Sequence, residues 1–334
     1  MVVIQNYALA IIMCFVTMLC WGSWANTQKL ASKEWKFQLF YWDYALGVFL
    51  LTLLFAFTLG SMGDSGRGFL ADIAQANSSS FIYAFIGGVV FNLANILLVA
   101  AIDIAGMAVA FPVGIGLALV IGVITNYVKN PGGNPIVLFI GVALVTVAII
   151  IDALAYKKLP ADEDKSMKKG LILSIIAGIA MGFFYRFVQD SMATDFVNPQ
   201  AGMFTPYSAL VIFSLGLLLS NFVFNIVVMK KPFVGEPVPF KDYFTKGNTR
   251  LHLIGILGGA IWSIGMSFNI IASGATSPAI SYGLGQGATM VAAFWGVFIW
   301  KEFKDAPKGT NKLINSMFLF FAVGLALLII AKLV

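Results

Sequence analysis

Charged side chains are scarce in this sequence: Asp, Glu, Lys and Arg together make up 11% of its 334 residues. A typical soluble domain has about 25% charged residues, so the polar surface that a water-soluble protein needs is missing. Hydrophobic residues reach 60% and are gathered into long runs between short charged breaks. These proportions exclude a soluble enzyme, a disordered protein and a nucleic-acid-binding protein, and they predict a polytopic membrane protein.

Cysteine and histidine are nearly absent as well. The two cysteines, Cys14 and Cys20, lie six residues apart in the first apolar run, which provides neither a disulfide framework nor a metal site. The single histidine, His252, lies where a helix is expected to begin and cannot form a catalytic or metal-binding cluster by itself. No paired aspartates, Ser/His motif or filter-like string is found. We therefore expect no cofactor, no metal, no enzymatic activity and no channel.

Ten apolar runs are each long enough to cross the hydrocarbon core of a bilayer. They cover approximately residues 6–27, 38–60, 81–101, 105–127, 136–155, 170–190, 207–229, 252–272, 277–300 and 312–333. The links between them, including the very short ones at 102–104 and 273–276, cannot hold a folded domain. The sequence therefore predicts an all-α integral membrane protein with ten transmembrane helices.

Lysine and arginine are distributed unevenly between alternate links. Of the 21 basic residues, 17 follow odd-numbered helices, and only Arg67, Lys129, Arg186 and Lys332 fall elsewhere. The 17 are Lys29, Lys33, Lys36, Lys157, Lys158, Lys165, Lys168, Lys169, Lys230, Lys231, Lys241, Lys246, Arg250, Lys301, Lys304, Lys308 and Lys312. Because basic links mark the cytoplasmic side, both termini are predicted to lie on the extracytoplasmic side of a cell (inner) membrane. The first 28 residues lack Lys and Arg, so we interpret the first run as a permanent helix.

Two stretches of the sequence align without a gap at an offset of 171 residues: GGVVFNLANILLVAAIDIAGMAVAFPVGIG from Gly87 and GGAIWSIGMSFNIIASGATSPAISYGLGQG from Gly258. The repeat indicates two five-helix halves, residues 1–155 and 170–334, joined by a cytoplasmic linker at 156–169. Because five is odd, the second half must be inserted upside down, as in secondary transporters that alternate access around a midplane site. We expect Gly114 and Gly285 to let helices four and nine approach closely.

Four segments carry a family resemblance: CWGSWANTQKLA, FQLFYWDYALG, AGMAVAFPVGIGLALVIGVITNY and ISYGLGQGATMVAAFWGVFIWKEFK. They resemble the drug/metabolite transporter superfamily, and within it the branch of glucose/ribose porters and rhamnose–proton symporters, related to plant ureide permeases. The resemblance covers nearly the whole chain and implies a transporter of ten helices in two inverted repeats. Plant ureide permeases have a long central loop with a phosphate-loop-like motif, whereas YKKLPADEDKSMKK here is short and lacks one.

Ionisable side chains inside apolar helices are the first candidates for function, because they are costly in hydrocarbon. Asp43 lies about five residues into helix two, where it could carry a coupling proton or be capped by water among belt aromatics. Arg186, near the outer end of helix six, could bind substrate or pair with Asp190 one turn later. Asp152 is more simply explained by an interfacial partner such as Lys157 or Lys158.

Neutral polar and aromatic side chains near the midplane are the candidates for binding a hydroxylated solute, since amides bond hydroxyls and flat rings cover apolar C–H faces. The alternative for each amide is interhelical bonding, and for each tryptophan an interfacial belt. The candidates are Trp21, Trp24, Asn92, Asn95, Trp262, Asn269 and Gln286.

These features favour a secondary active transporter, proton-coupled, that takes up a sugar or similar small neutral polar solute. A ureide or nucleobase permease, or a drug/metabolite exporter on the same fold, is the alternative. The expected partners are the solute, a proton or sodium ion, and the lipid bilayer, with no nucleic acid.

The charge distribution makes a direct prediction about topology. A reporter fused after Val334 should be active only outside the cytoplasm, because both termini are predicted to lie there. At this position an alkaline phosphatase fusion should be active and a green fluorescent protein fusion should not fluoresce, so the two reporters check each other. A fusion that fluoresces in the cytoplasm would contradict both the orientation and the count of ten helices.

Overall fold

The computed structural model describes residues 1–31, 34–105, 107–159 and 167–334. Regular structure in these ranges is helical, apart from an isolated bridge between Met192 and Phe204. Ten helices among the described residues are long and apolar enough to cross a membrane, which confirms the predicted number. We call them spans 1 to 10: Tyr7–Ala31, Phe37–Phe57, Ser78–Ile102, Pro112–Lys129, Pro135–Tyr156, Lys168–Asp190, Pro206–Lys230, Thr249–Ser273, Pro278–Ile299 and Thr310–Ile330.

Two short helices, Phe69–Gln75 and Asp242–Thr245, lie in the links after spans 2 and 7. The predicted link at 102–104 is wrong, because the helix of span 3 runs without a break over Ser78–Ala105 and the next helix is Met107–Lys129. Residues 102–104 are apolar on both sides of a single aspartate, which is too little polarity to end a helix.

Span 9 is interrupted and span 1 is distorted at one residue, although the sequence predicts continuous helices. Span 1 consists of Tyr7–Ser23 and Ala25–Ala31, with Trp24 between them. Span 9 consists of Pro278–Gly285, Ala288–Phe294 and a π-helical turn at Trp295–Ile299. A glycine in the interior of a helix is less favourable than an alanine by about 1 kcal/mol. The break in span 9 lies among the glycines of GLGQG. Irregular backbone at membrane depth is tolerated where it is enclosed by protein or lines a cavity.

The ends of the spans are tied together on two opposite faces. On one face, Lys29 pairs with Glu302 at 2.8 Å and Arg250 pairs with Glu34 at 2.9 Å. We call this the basic face, because it carries the links that hold most of the lysines. On the opposite face, Arg67 donates to the carbonyl oxygens of Pro199, Gln200 and Met203 at 2.8–2.9 Å. Successive helix ends therefore alternate between the two faces, as ten antiparallel crossings of a membrane require.

Apolar side chains cover the outside of the bundle. Several large ones are more than half exposed, which would be unfavourable in water and is expected against lipid tails. Examples are Leu19, Leu54, Ile136, Phe222 and Leu319.

Glycines bring helices of the two predicted halves into direct backbone contact. A Cβ added at Gly88 in span 3 would collide with the carbonyl oxygen of Phe213 in span 7. In the same way, a Cβ at Gly259 in span 8 would collide with the carbonyl oxygen of Tyr44 in span 2. Gly88 and Gly259 are 171 residues apart, so the contact of span 3 with span 7 has its counterpart in that of span 8 with span 2. This reciprocity is consistent with two inverted five-helix repeats.

The expectation that Gly114 and Gly285 join spans 4 and 9 is wrong. A Cβ at Gly114 would lie 2.6 Å from Leu98 in span 3, and one at Gly285 would lie 2.8 Å from Asn269 in span 8. Spans 4 and 9 do touch, but at Gly122, where the ring of Tyr282 fills the space that a side chain would need. A glycine pattern shows that something approaches closely, and it does not show which helix does.

The reciprocal contacts predict which glycines tolerate a methyl group. Gly88→Ala should lower the free energy of unfolding by about 1–3 kcal/mol, since a backbone oxygen cannot rotate away from an added atom. Gly116→Ala is the matched control in the next span, where the nearest atom would be 4.0 Å away. Thermal unfolding of the purified protein in detergent measures both. Equal midpoints for the two variants would contradict the close contact.

Candidate functional site

A small pocket lies deep in the bundle between spans 1, 3, 4, 6, 8 and 9. It has a volume of about 110 Å³. We call it the deep pocket; its polar and tryptophan lining consists of Trp21, Trp24, Asn95, Trp262, Gln286 and Thr289. The structure thus brings together five of the predicted solute-binding residues, contributed by four different spans.

A larger cavity continues from the deep pocket towards the basic face. It has a volume of about 350 Å³ and shares Trp21, Trp24 and Asn95 with the deep pocket. We call it the vestibule; its remaining polar lining consists of Asn26, Gln28, Lys29, Asp152, Tyr156 and Glu302. Lys29 at its rim is 45% exposed, so the vestibule opens to solvent on the basic face.

Beyond the deep pocket, a layer of hydrogen-bonded side chains closes the path to the opposite face. The hydroxyls of Tyr185 and Ser281 are 2.9 Å apart, and the amide of Asn269 donates to the Ser281 carbonyl at 2.7 Å. The Tyr282 hydroxyl lies within hydrogen-bond distance of carbonyl oxygens in spans 4 and 6. We call these four residues the seal. Asn269 therefore lies in the seal and does not line either cavity.

Trp262 forms the floor of the deep pocket and is fixed by other rings. Its indole stacks on Trp21 with centroids 6.1 Å apart at 13°, and it packs at a tilt of 32° against Phe91 with centroids 4.4 Å apart. The Trp21 indole N–H donates to the Trp262 carbonyl at 3.3 Å. Packed aromatic pairs of this kind hold a flat surface in place. The pocket therefore presents a rigid aromatic wall to its contents.

The two carboxamides of the deep pocket have different hydrogen-bonding capacity. The Asn95 amide donates to the Tyr41 hydroxyl at 3.0 Å, which leaves its carbonyl oxygen as an acceptor. Among the residues that the structure describes, the Gln286 side chain has no hydrogen-bond partner, although it is only 6% exposed. Gln286 therefore offers a donor and an acceptor to a bound solute.

Two further solute-binding candidates lie elsewhere. Asn92 is one turn from Asn95 on span 3, yet it donates to Ser220 of span 7 at 2.9 Å and lines neither cavity. Arg186 donates to Asp190 at 2.7 Å and to the Thr125 carbonyl at 2.8 Å, near the opposite face. A role for either residue in solute binding stays a prediction. Asn92 bonds to a neighbouring helix, and Arg186 bonds both within its own helix and to a neighbouring one.

Asp43, the predicted proton-coupling residue, lies in a separate polar cluster near the basic face. Its carboxylate accepts from the Tyr243 hydroxyl and lies 2.9 Å from Nδ1 of His252. His252 thus has the partner that the sequence did not reveal, because 208 residues separate the two along the chain. Burial, and then the bond to Asp43, raise the pKa of Tyr243, so its phenol remains a proton donor at neutral pH. Asp43 lines neither the deep pocket nor the vestibule.

Two acidic residues of the vestibule were not expected there. None of the ion pairs among the described residues joins Asp152 to Lys157 or Lys158, which corrects the interpretation from sequence. Glu302 reaches the vestibule because the π-helical turn and Lys301, with φ of 52°, fold the chain back after span 9. Neither feature has a recognisable signal in the sequence, whereas the depth of Asp152 in an apolar run was a usable signal.

Comparisons with known proteins agree with this architecture. The family model "Ureide permease" matches residues 40–169 and 162–331. Ureide permease 1 of Arabidopsis thaliana is 23% identical, and the alignment covers 98% of each chain. An L-rhamnose-proton symporter of Salmonella paratyphi A (strain ATCC 9150 / SARB42) is 29% identical over 33% of this chain and 36% of its own.

A solved crystal structure has the same fold. It superimposes with a TM-score of 0.62 at 13% identity, and the match covers 98% of this chain and 100% of the other. The relatives are named as permeases and a symporter, so the chain is a membrane transporter and not an enzyme. The placement in a glucose/ribose and rhamnose branch stays a prediction. Because the family model covers most of the sequence, the chain belongs to the ureide permease family.

Proposed function

We propose that this protein takes up a small, neutral, flat polar solute with urea-type amide groups by alternating access. The observation that carries the proposal is the deep pocket, in which two carboxamides face a stacked tryptophan wall. A urea-type group places N–H donors beside a C=O acceptor. The Asn95 carbonyl and the Gln286 carboxamide supply the complementary acceptors and donor, and the ring of Trp262 covers the flat face.

A sugar is the second candidate solute. It is supported by the similarity to an L-rhamnose-proton symporter over about a third of the chain, 33%. A sugar ring presents hydroxyls around its whole edge, and each needs a polar partner when it is buried. The deep pocket offers a few polar side chains among mostly apolar ones, which favours the flat amide. The ureide permeases among the relatives support the same choice.

Alternating access is supported by the asymmetry of the cavity. The vestibule is open on the basic face, and the seal closes the opposite face. We propose that residues 1–155 and 170–334 are the inverted repeats, and that they rock about the deep pocket to exchange the open and closed sides. The reciprocal glycine contacts allow helices to move as tightly packed pairs. With the basic face in the cytoplasm, this structure is the inward-open form.

Substitutions in the deep pocket should weaken solute binding without unfolding the protein. Gln286→Ala removes a hydrogen bond of about 0.5–1.5 kcal/mol, which corresponds to roughly two- to tenfold weaker binding. Trp262→Ala should weaken binding at least as much, because it removes the stacking surface. Uptake by liposomes with a panel of labelled allantoin, uracil, rhamnose and ribose measures apparent affinity and identifies the solute.

The matched control is Trp42→Ala, since Trp42 is a buried tryptophan that packs on Phe222 and Phe240 outside both cavities. It should lower stability and leave affinity unchanged. Unaltered affinity in both pocket variants would contradict the site. Uptake of the sugars alone would replace the flat amide with the second candidate.

Access to the pocket should differ between the two membrane faces. In a background of Cys14→Ala and Cys20→Ala, Ala292→Cys lies in the wall shared by both cavities. A membrane-impermeant thiol reagent should label it faster from the basic face, because the seal blocks the other route. The exposed Ala201→Cys, on the opposite face, should show the reverse preference. Equal labelling of Ala292→Cys from both faces would contradict the inward-open form.

A further inference from the structure

Asp152 is a buried carboxylate in the wall of the vestibule. Asp152 is 7% exposed, and its side chain makes no hydrogen bond or ion pair within the part of the chain that the structure describes. Inside a membrane protein an ionised carboxylate without a partner is strongly unfavourable. Water in the open vestibule relieves this cost, and closure of the vestibule removes that relief.

The other charges of the vestibule are already matched to each other. The Glu302 carboxylate pairs with the Lys29 ammonium at 2.8 Å and accepts from the Tyr156 hydroxyl at 2.9 Å. The Lys29 ammonium also lies 4.2 Å from the centre of the Trp300 ring. One lysine therefore faces two carboxylates, and Asp152 is close enough to Glu302 to be repelled by its charge. Among the described lining residues the vestibule carries one net negative charge.

Glu302 is held in this position by the backbone. Its N–H donates to the Gly296 carbonyl at 2.9 Å, which closes the turn after span 9. Lys301 adopts the left-handed region, with φ of 52°, which is unfavourable for a residue with a side chain. A Cβ at Gly296 would lie 2.5 Å from the Tyr156 hydroxyl and 2.9 Å from the Glu302 carboxylate. Glu302 is therefore fixed against Lys29 and Tyr156, which keeps Lys29 engaged.

We propose that Asp152 is the residue that binds the coupling proton during transport. During uptake a proton from the extracytoplasmic water binds one carboxylate oxygen and forms a neutral carboxylic acid. This brings the net charge of the lining to zero, so the protein can enclose the solute without burying an unpaired charge. In the inward-open form the O–H bond breaks and the proton leaves to the water of the vestibule. One proton accompanies each neutral solute, and each cycle moves one positive charge.

Asp43 does not meet the same requirements. It already has two partners, Tyr243 and His252, and it lies outside the cavity that a solute would enter. A coupling group must change its protonation and its access together with the solute. Asp152 shares the vestibule with the solute path, because residues that line the deep pocket also line the vestibule.

The inference rests on the proposed function and is tested in liposomes that are acidic on the outside and alkaline inside. The wild-type protein should accumulate the labelled solute from the same panel. Asp152→Asn should lose this accumulation and retain counterflow exchange, because the amide imitates the neutral acid. Asp43→Asn is the matched comparison and should retain pH-driven accumulation. Gel filtration in detergent checks that each variant is folded.

Glu302→Gln provides a second measurement that does not remove Asp152. It removes the negative charge that lies nearest to Asp152 in the vestibule, so pH-driven accumulation should require a more acidic exterior than in the wild type. Accumulation by Asp152→Asn equal to that of the wild type, or an unshifted pH profile of Glu302→Gln, would overturn the inference. Wild-type transport without pH dependence would overturn it and leave the proposed function intact. Failure to transport any member of the panel would overturn both.

Discussion

Backbone-to-backbone contact between helices of the two proposed halves is the constraint on which the rest of the structure depends. In lipid, apolar burial gives little drive to bring helices together, so close packing at small residues must supply it. Gly88 and Gly259 provide two such contacts, each against a carbonyl oxygen of the other half. Gly141 and Gly324 form a third, since a Cβ at either would lie 2.9 Å from the carbonyl oxygen of the other. These contacts hold the helices too close for a cavity to form between them.

The cavity forms where that close packing is interrupted. Span 1 is distorted at Trp24, span 9 is broken after Gly285, and both places border the deep pocket. Gly285 also lets span 9 approach both Asn269 of the seal and the Trp21 ring, so the seal and the pocket wall share one contact. A change at the seal is therefore expected to alter the pocket. Such a mechanical link between a gate and a binding site is what alternating access requires.

The sequence predicted the features that follow from local composition. Apolar length located ten helices, and five of the midplane candidates, among them Trp262 and Gln286, line one pocket. It did not predict which polar side chains form hydrogen bonds with neighbouring residues and which remain available to a solute. Asn92 and Asn95 look equivalent on one helix face, and only the positions of Ser220 and Tyr41 distinguish them. Partners this distant along the chain depend on the tertiary structure, which no spacing rule contains.

The central claim is that the two faces of the bundle open in alternation around the deep pocket. Paired spin labels in the cysteine-free background test it most directly. One pair, at Leu30 and Lys158, reports on the basic face; the other, at Asn130 and Thr194, reports on the opposite face. On addition of the transported solute, electron–electron double resonance should show the first distance shortening and the second lengthening. Distances that stay fixed, or that change in the same direction on both faces, would contradict the account.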